Sequence, residues 1–177
     1  AMSTSPPGKW LGRLMLLLAW GAGMLLATRF FADWEASRYN PNPAPASLHT
    51  GSHIEVRLQG DGLGHFRASG RINGQPVLFL LDTGATDVAV PESLVDVLGV
   101  RHARGAPIEL LTANGRAIGY RTRLERLQLG DIQLTDVRAL IAPGMGNDQV
   151  LLGMSALRQL EFTQRDGTLL LHQYFAN

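Results

Sequence analysis

The sequence contains no cysteine. That removes disulfides, thiolate metal sites and a cysteine nucleophile from consideration, and it leaves the compartment open. The formal net charge is only +1, and no basic stripe interleaved with aromatics appears. Nucleic acid is therefore not expected as a partner. The five histidines (His49, His53, His65, His102 and His172) show no metal-ligand spacing. His49 and His53 stand four apart, but beside proline and glycine rather than on a helix, and read as linker residues. No metal and no other cofactor is expected. There is no Gly-x-Ser-x-Gly and no Ser-His-Asp context. The glycine-rich stretch 59–64 lacks Walker spacing and a following helix, so it reads as a hairpin connection rather than a phosphate loop. No repeat occurs at solenoid or propeller periods. Charged residues are 18% of the 177 positions and apolar residues 45%. That balance suits one domain with a sizeable core and argues against wholesale disorder.

What is present begins with an apolar run. Leu14 to Thr28 carries no charge and is bracketed by Arg13 and Arg29. Fifteen residues are short for a membrane span, which needs about 17–25. Both arginines can snorkel, and Trp10, Phe30 and Phe31 stand where interfacial aromatics belong. Residues 1–32 are therefore read as a tail and a retained single-pass membrane helix. The rival is a cleaved signal peptide with Lys9 and Arg13 as its charged start, but no clean small-x-small site follows the run. Lys9 and Arg13 precede the run while Arg29 and Arg38 follow it, so only the amino terminus tips the orientation toward N-terminus inside. Residues 33–53, with Asn40-Pro41-Asn42-Pro43-Ala44-Pro45 at their centre, read as an extended, semi-rigid linker. Residues 54–177 are read as the globular domain.

That domain reads as mainly β. Ile54, Val56 and Leu58 alternate with polar residues, and 65–72, 76–81, 88–90, 107–111, 116–129, 132–141 and 150–152 are further strands. Asn73-Gly74, Asn114-Gly115, Gly130-Asp131 and Asp166-Gly167 are turn signals. One or two short helices are expected, over 91–98 and 154–160.

The stretch that organises the domain is Val77-Leu78-Phe79-Leu80-Leu81-Asp82-Thr83-Gly84-Ala85-Thr86. Five apolar residues suit a buried strand. Thr83-Gly84 then breaks the run, which leaves Asp82 at the strand's end, near the core. A lone carboxylate placed there costs several kcal/mol or shifts its pKa, so it is a candidate functional group.

Three segments in this order carry a family resemblance: Leu80 to Thr86, the hairpin Thr112-Ala113-Asn114-Gly115, and Leu151-Leu152-Gly153-Met154. The chain resembles retropepsin-like aspartic proteases, most nearly the single-lobed, membrane-anchored bacterial type. The resemblance covers roughly 54–173. It implies a closed acid-protease β-barrel preceded by the transmembrane helix. It also implies a homodimer in which each protomer gives one aspartate, and an aspartic endopeptidase that hydrolyses polypeptide. Asp82 would be catalytic, with Thr83, Gly84, Ala85 and Thr86 as the active-site loop. Thr83 would bond the partner protomer, Gly84 would let substrate backbone approach, and Ala85 would floor the pocket. Thr112, Ala113, Asn114 and Gly115 would form the flap over bound peptide, and the later Gly153 run would pack beneath the loop.

The chemistry agrees with that scheme. Two carboxylates about 3 Å apart share one proton, so one activates water while the other protonates the carbonyl. The sequence has one Asp-Thr-Gly, so a second copy must supply the second carboxylate. The chain departs from viral relatives at Thr86, where they carry the first of two aspartates, and at Met154, where they carry an arginine. The resemblance and the anchor imply a bacterial inner-membrane location, and the N-terminus-inside orientation puts the domain on the periplasmic side. The alternative is a membrane-tethered β-module of the same fold that binds a peptide or protein without cleaving it.

Overall fold

The computed structural model describes residues 8–100, 107–112 and 115–175. They form two units, 1–39 and 40–177. The first is a single helix, α1, Gly8–Tyr39. Its Trp10–Tyr39 portion is long and apolar enough to cross a membrane. Thr28 is accommodated because its hydroxyl donates to the Leu25 carbonyl at 2.9 Å.

The second unit is built from two sheets. The smaller contains β1 (Ser47–His49), β2 (His53–Gln59), β11 (Thr168–Tyr174) and β10 (Glu161–Arg165), in the order β1-β2-β11-β10. The larger contains β3 (Phe66–Ile72), β4 (Gln75–Leu81), β9 (Gln149–Leu152), β5 (Val88–Pro91), β8 (Ile132–Ala142), β7 (Gly115–Leu129) and β6 (Pro107–Thr112), in that order. β3 also pairs with β7 through Arg71↔Gln128 and Ile72↔Leu127. The ring of six strands thereby closes, with β6 hanging from β7, and the fold is mainly β and closed. Inward residues such as Val56, Leu58, Phe79, Leu124, Ile141, Leu152 and Leu171 are fully buried and form the core. Period-2 alternation of apolar residues is what places them there.

Two of the expected turns take the type I′ form that their sequences favour. Asn73-Gly74 (φ +50° and +83°) joins β3 to β4, and Asp166-Gly167 (φ +50° and +73°) joins β10 to β11. The third differs. Gly115 pairs with Thr112, so Gly115 opens β7 instead of sitting in the centre of the turn. Ala113 and Asn114 lie outside the described residues. The helix expected over 91–98 is a 3-10 turn, Glu92–Leu94, as the β-branched Val95 and Val97 are poor helix formers. The second helix, α2, is only Met154–Leu157.

The expected boundaries shift as well. Residues 33–39 belong to α1, and 40–53 belong to the domain. Asn42 is buried, with 6% exposure. Its amide donates to the carbonyls of Gln59 (2.8 Å) and Arg67 (2.7 Å), and its Oδ1 accepts from the Gln59 N–H (2.8 Å). Its own carbonyl accepts from Ser69 N–H at 3.0 Å. Asn42 therefore ties β2 to β3, and so one sheet to the other. β1 then adds an edge strand, Leu48 opposite Glu55. Proline spacing indicated an extended backbone, but not that the extended chain is hydrogen-bonded to the domain.

Candidate active site

β4 and β9 run parallel, with Leu81 paired to Leu152. The next residue on each side departs from the pair. Asp82 N–H still donates to the Leu152 carbonyl at 3.2 Å, and then the chain turns. The turn is closed by Ala85 N–H to the Asp82 carbonyl (3.2 Å) and by Gly84 N–H to Asp82 Oδ1 (2.8 Å). The carboxylate is therefore oriented by its own loop. Asp82 is partly buried in the single chain, while Thr83, Gly84 and Thr86 are exposed around it. The strand delivers Asp82 to the barrel's end, where a ligand or a second chain can reach it, rather than sealing it in the core.

Gly153 packs under that loop. A Cβ there would stand 2.3 Å from the Asp87 carbonyl oxygen and 2.7 Å from that of Ala85. Only glycine lets the two backbones approach so closely. Past it, Met154 N–H donates to the Ala85 carbonyl (2.8 Å) and Ser155 N–H to the Thr86 carbonyl (2.9 Å). The start of α2 thus holds the far side of the loop.

Two further residues brace the loop and were not singled out from sequence. Ser155 Oγ donates to the Arg138 carbonyl (2.7 Å) and accepts from Val88 N–H (3.0 Å). Arg138, on β8, sends its Nε (3.1 Å) and a terminal nitrogen (3.0 Å) to Asp87 Oδ1. Neither has a local signature. Ser155 is an ordinary serine after a glycine, and Arg138 an ordinary outward residue on a long strand. The departures at Thr86 and Met154 remove one acid and one arginine, yet the loop keeps an ion pair one residue further on.

Beside the loop lies a cleft of about 990 Å³. Ala85, Thr86 and Asp87 of the loop, Ile108, Leu110 and Leu111 of β6, and Ala89, Leu140 and Leu151 line it. Arg121, Arg123 and Arg138 also line it. The β6–β7 arms therefore border the cleft that starts at Asp82's loop. Leu111, near the hairpin's end, is 87% exposed. The cleft is lined by apolar side chains together with three arginines, which suits an extended chain with alternating side chains.

The histidines are distributed otherwise than expected. His49 pairs with Asp131 at 2.7 Å. His53 and His172, 119 positions apart in sequence, come together with Glu55 on the smaller sheet. Local spacing could not reveal that cluster, because β-pairing creates it.

Comparison with known proteins follows the same lines. The family model described as gag-polyprotein putative aspartyl protease matches residues 68–159, just over half of the chain. An uncharacterized Sinorhizobium protein, encoded in the cobV 5′ region, is 34% identical over 125 residues, covering 69% of this chain and 54% of that protein. An uncharacterized Rickettsia prowazekii protein is 29% identical over 126 residues, covering 68% and 52%. The chain spans about half the length of these curated relatives. The crystal structure of a retropepsin-like aspartic protease from Rickettsia conorii superposes with a TM-score of 0.60 at 24% identity, covering 73% of this chain and 96% of that one. With the matched segment reaching from β3 through the Asp82 loop to α2, the chain belongs to the gag-polyprotein putative aspartyl protease family and carries the retropepsin-like fold.

Proposed function

We propose that the protein is an aspartic endopeptidase, tethered to a membrane by α1 and active as a homodimer. The observation that carries this reading is the placement of Asp82. It ends a core strand, is fixed by Gly84 N–H at 2.8 Å, and sits in the loop whose Ala85, Thr86 and Asp87 line the cleft. In the dimer, the two Asp82 carboxylates share one proton. The ionised member takes a proton from water, and the neutral member protonates the scissile carbonyl as the tetrahedral intermediate forms. The protons then redistribute, the amine leaves, and the pair returns to its starting state. Thr83, exposed beside Asp82, bonds the partner's loop. Gly84 accepts close approach of substrate backbone, Ala85 keeps the floor low, and Thr86 flanks them. Thr112, Ala113, Asn114 and Gly115 cover the bound peptide.

The anchor is retained, and the domain faces the periplasm of a bacterial inner membrane. Its substrates are extended segments of membrane-near proteins. The test is digestion of an unbiased peptide library by the unaltered chain and by Asp82→Asn. Cleavage by the first and none by the second supports the enzyme. Cleavage by both at similar rates, in a preparation free of contaminating protease, removes it.

A further inference from the structure

The outer face of the smaller sheet holds a cluster that peptide hydrolysis does not use. His53 and Glu55 are two apart on β2, so they share a face. His172 stands opposite Glu55 on β11, and Tyr174 opposite His53. The two imidazole rings meet edge to face with centroids 4.8 Å apart. His172 Nε2 lies 2.9 Å from Glu55 Oε2. One ligand atom from each of His53, Glu55 and His172 lies within 4.8 Å of the others.

We infer that His53, Glu55 and His172 form a divalent-metal site that takes zinc, with a fourth position left to water. Two imidazoles and a carboxylate are a donor set that zinc accepts in tetrahedral geometry, and one that calcium and magnesium, which want more oxygen, do not.

Two details beyond the cluster support this. The first concerns His53. Its Nδ1 lies 3.0 Å from Thr50 Oγ1. Ser52 Oγ lies 3.1 Å from the same nitrogen. Two hydroxyls thus hold Nδ1 and leave Nε2 as the nitrogen offered to a metal. A hydrogen-bonded outer nitrogen is the usual support of a metal-bound histidine. The second concerns His172. With Nε2 engaged by Glu55, its Nδ1 is buried and has no hydrogen-bond partner among the described residues. An ion pair with Glu55 accounts for one ring nitrogen and leaves the other unsatisfied, which costs free energy. Zinc bound at Nδ1 gives that nitrogen its partner while Nε2 keeps its bond to Glu55, and the proton the ion displaces from the imidazolium goes to solvent.

The ion would join β2, near the start of the domain, to β11, near its end. It therefore acts as a staple between segments 119 positions apart in sequence. This inference does not depend on the proposed peptidase activity, and its test reads none.

The full chain is purified in detergent without a polyhistidine tag, stripped with a chelator, and titrated with Zn²⁺ in a calorimeter. One zinc per chain is expected, with a dissociation constant on the order of micromolar or tighter. His172→Ala and Glu55→Gln should each weaken it by at least about tenfold. His49→Ala, which removes a histidine paired elsewhere, should leave it unchanged. Zn²⁺ should raise the melting temperature of the unaltered chain, and Mg²⁺ at the same concentration should not. Folding of the variants is read by near-ultraviolet circular dichroism in chelator. If they misfold, Co²⁺ added to the unaltered chain decides, since a tetrahedral site gives strong visible d–d bands. Absence of those bands, uptake below one ion per chain, or an equal loss on His49→Ala overturns the inference.

Discussion

Arg138 grips Asp87 through two of its nitrogens, at 3.1 Å and 3.0 Å, and so ties strand β8 to the loop that carries Asp82. The arginine side chain is 56% exposed and the aspartate 26%. The pair's direct contribution to stability is therefore small, about 1 kcal/mol or less. Its effect on the loop should be larger, because Arg138 reaches the loop from a barrel strand and fixes Asp87 on it. Arg138→Met should lower kcat several-fold against a peptide substrate while the urea midpoint moves little. Equal loss of both would mean that the pair serves folding instead.

Gly153 makes the opposite case. A Cβ at 2.3 Å from the Asp87 carbonyl oxygen meets backbone, which cannot swing aside like a side chain. Gly153→Ala should destabilise the domain by about 1–3 kcal/mol, in the range of overpacked cores. Gly146→Ala is the control, since a Cβ there meets nothing within 4 Å. Urea unfolding of the two variants checks this, and equal midpoints would show that the loop yields freely.

Asn42 tests where the domain begins. Three hydrogen bonds from its side chain reach backbone groups of β2 and β3. Asn42→Ala strands buried donors and acceptors, at about 1–3 kcal/mol for such a group. A fragment that starts at Asn40 should fold cooperatively, and one that starts at Ile54 should melt lower. Identical melting of the two fragments would return residues 40–53 to the role of linker.

These three sites also show what the sequence could and could not disclose. The strands, three of the four turns and the abrupt end of the apolar run at Asp82 follow from local pattern. Period-2 burial and Gly-containing turns are properties of neighbours along the chain. Asn42, Ser155 and Arg138 act on residues far away in sequence. Ser155 bonds Val88, 67 positions earlier, and Arg138 bonds Asp87, 51 positions earlier. No window of residues contains both ends of such a contact. β1 was missed for a related reason: its three residues exist as a strand only through pairing with β2.

Acid should act on the turn before β3. Asp61 is nearly sealed, with its side chain 3% exposed. Burial alone would raise its carboxyl, but the N–H groups of Leu63 (2.9 Å) and His65 (3.1 Å) and the Arg67 guanidinium outweigh it. The net pKa is lowered. A carboxyl lowered on folding adds stability above its unfolded pKa of about 4, and loses that stability as pH falls through the folded value. Asp61→Asn should therefore be less stable than the unaltered chain at neutral pH. The gap should narrow as pH drops below about 4. Denaturant midpoints at a series of pH values check this. A gap independent of pH would mean that the charge contributes nothing.

The shared-site mechanism makes the sharpest demand. With one Asp-Thr-Gly per chain, a catalytic pair exists only where two copies meet. For the soluble fragment that starts at Asn40, activity per protomer should rise with concentration below the dimer dissociation constant, expected on the order of micromolar. Reinstating α1 in a bilayer should offset dilution by raising the effective concentration. Excess Asp82→Asn protomer should suppress the unaltered chain, since a mixed dimer holds a single carboxylate and cannot keep one ionised and one neutral. The rate profile of the true dimer should be bell-shaped in pH, with two apparent pKa values that belong to the pair. Specific activity that stays constant down to concentrations where sedimentation shows only monomer, with no suppression by the variant, would rule the shared site out.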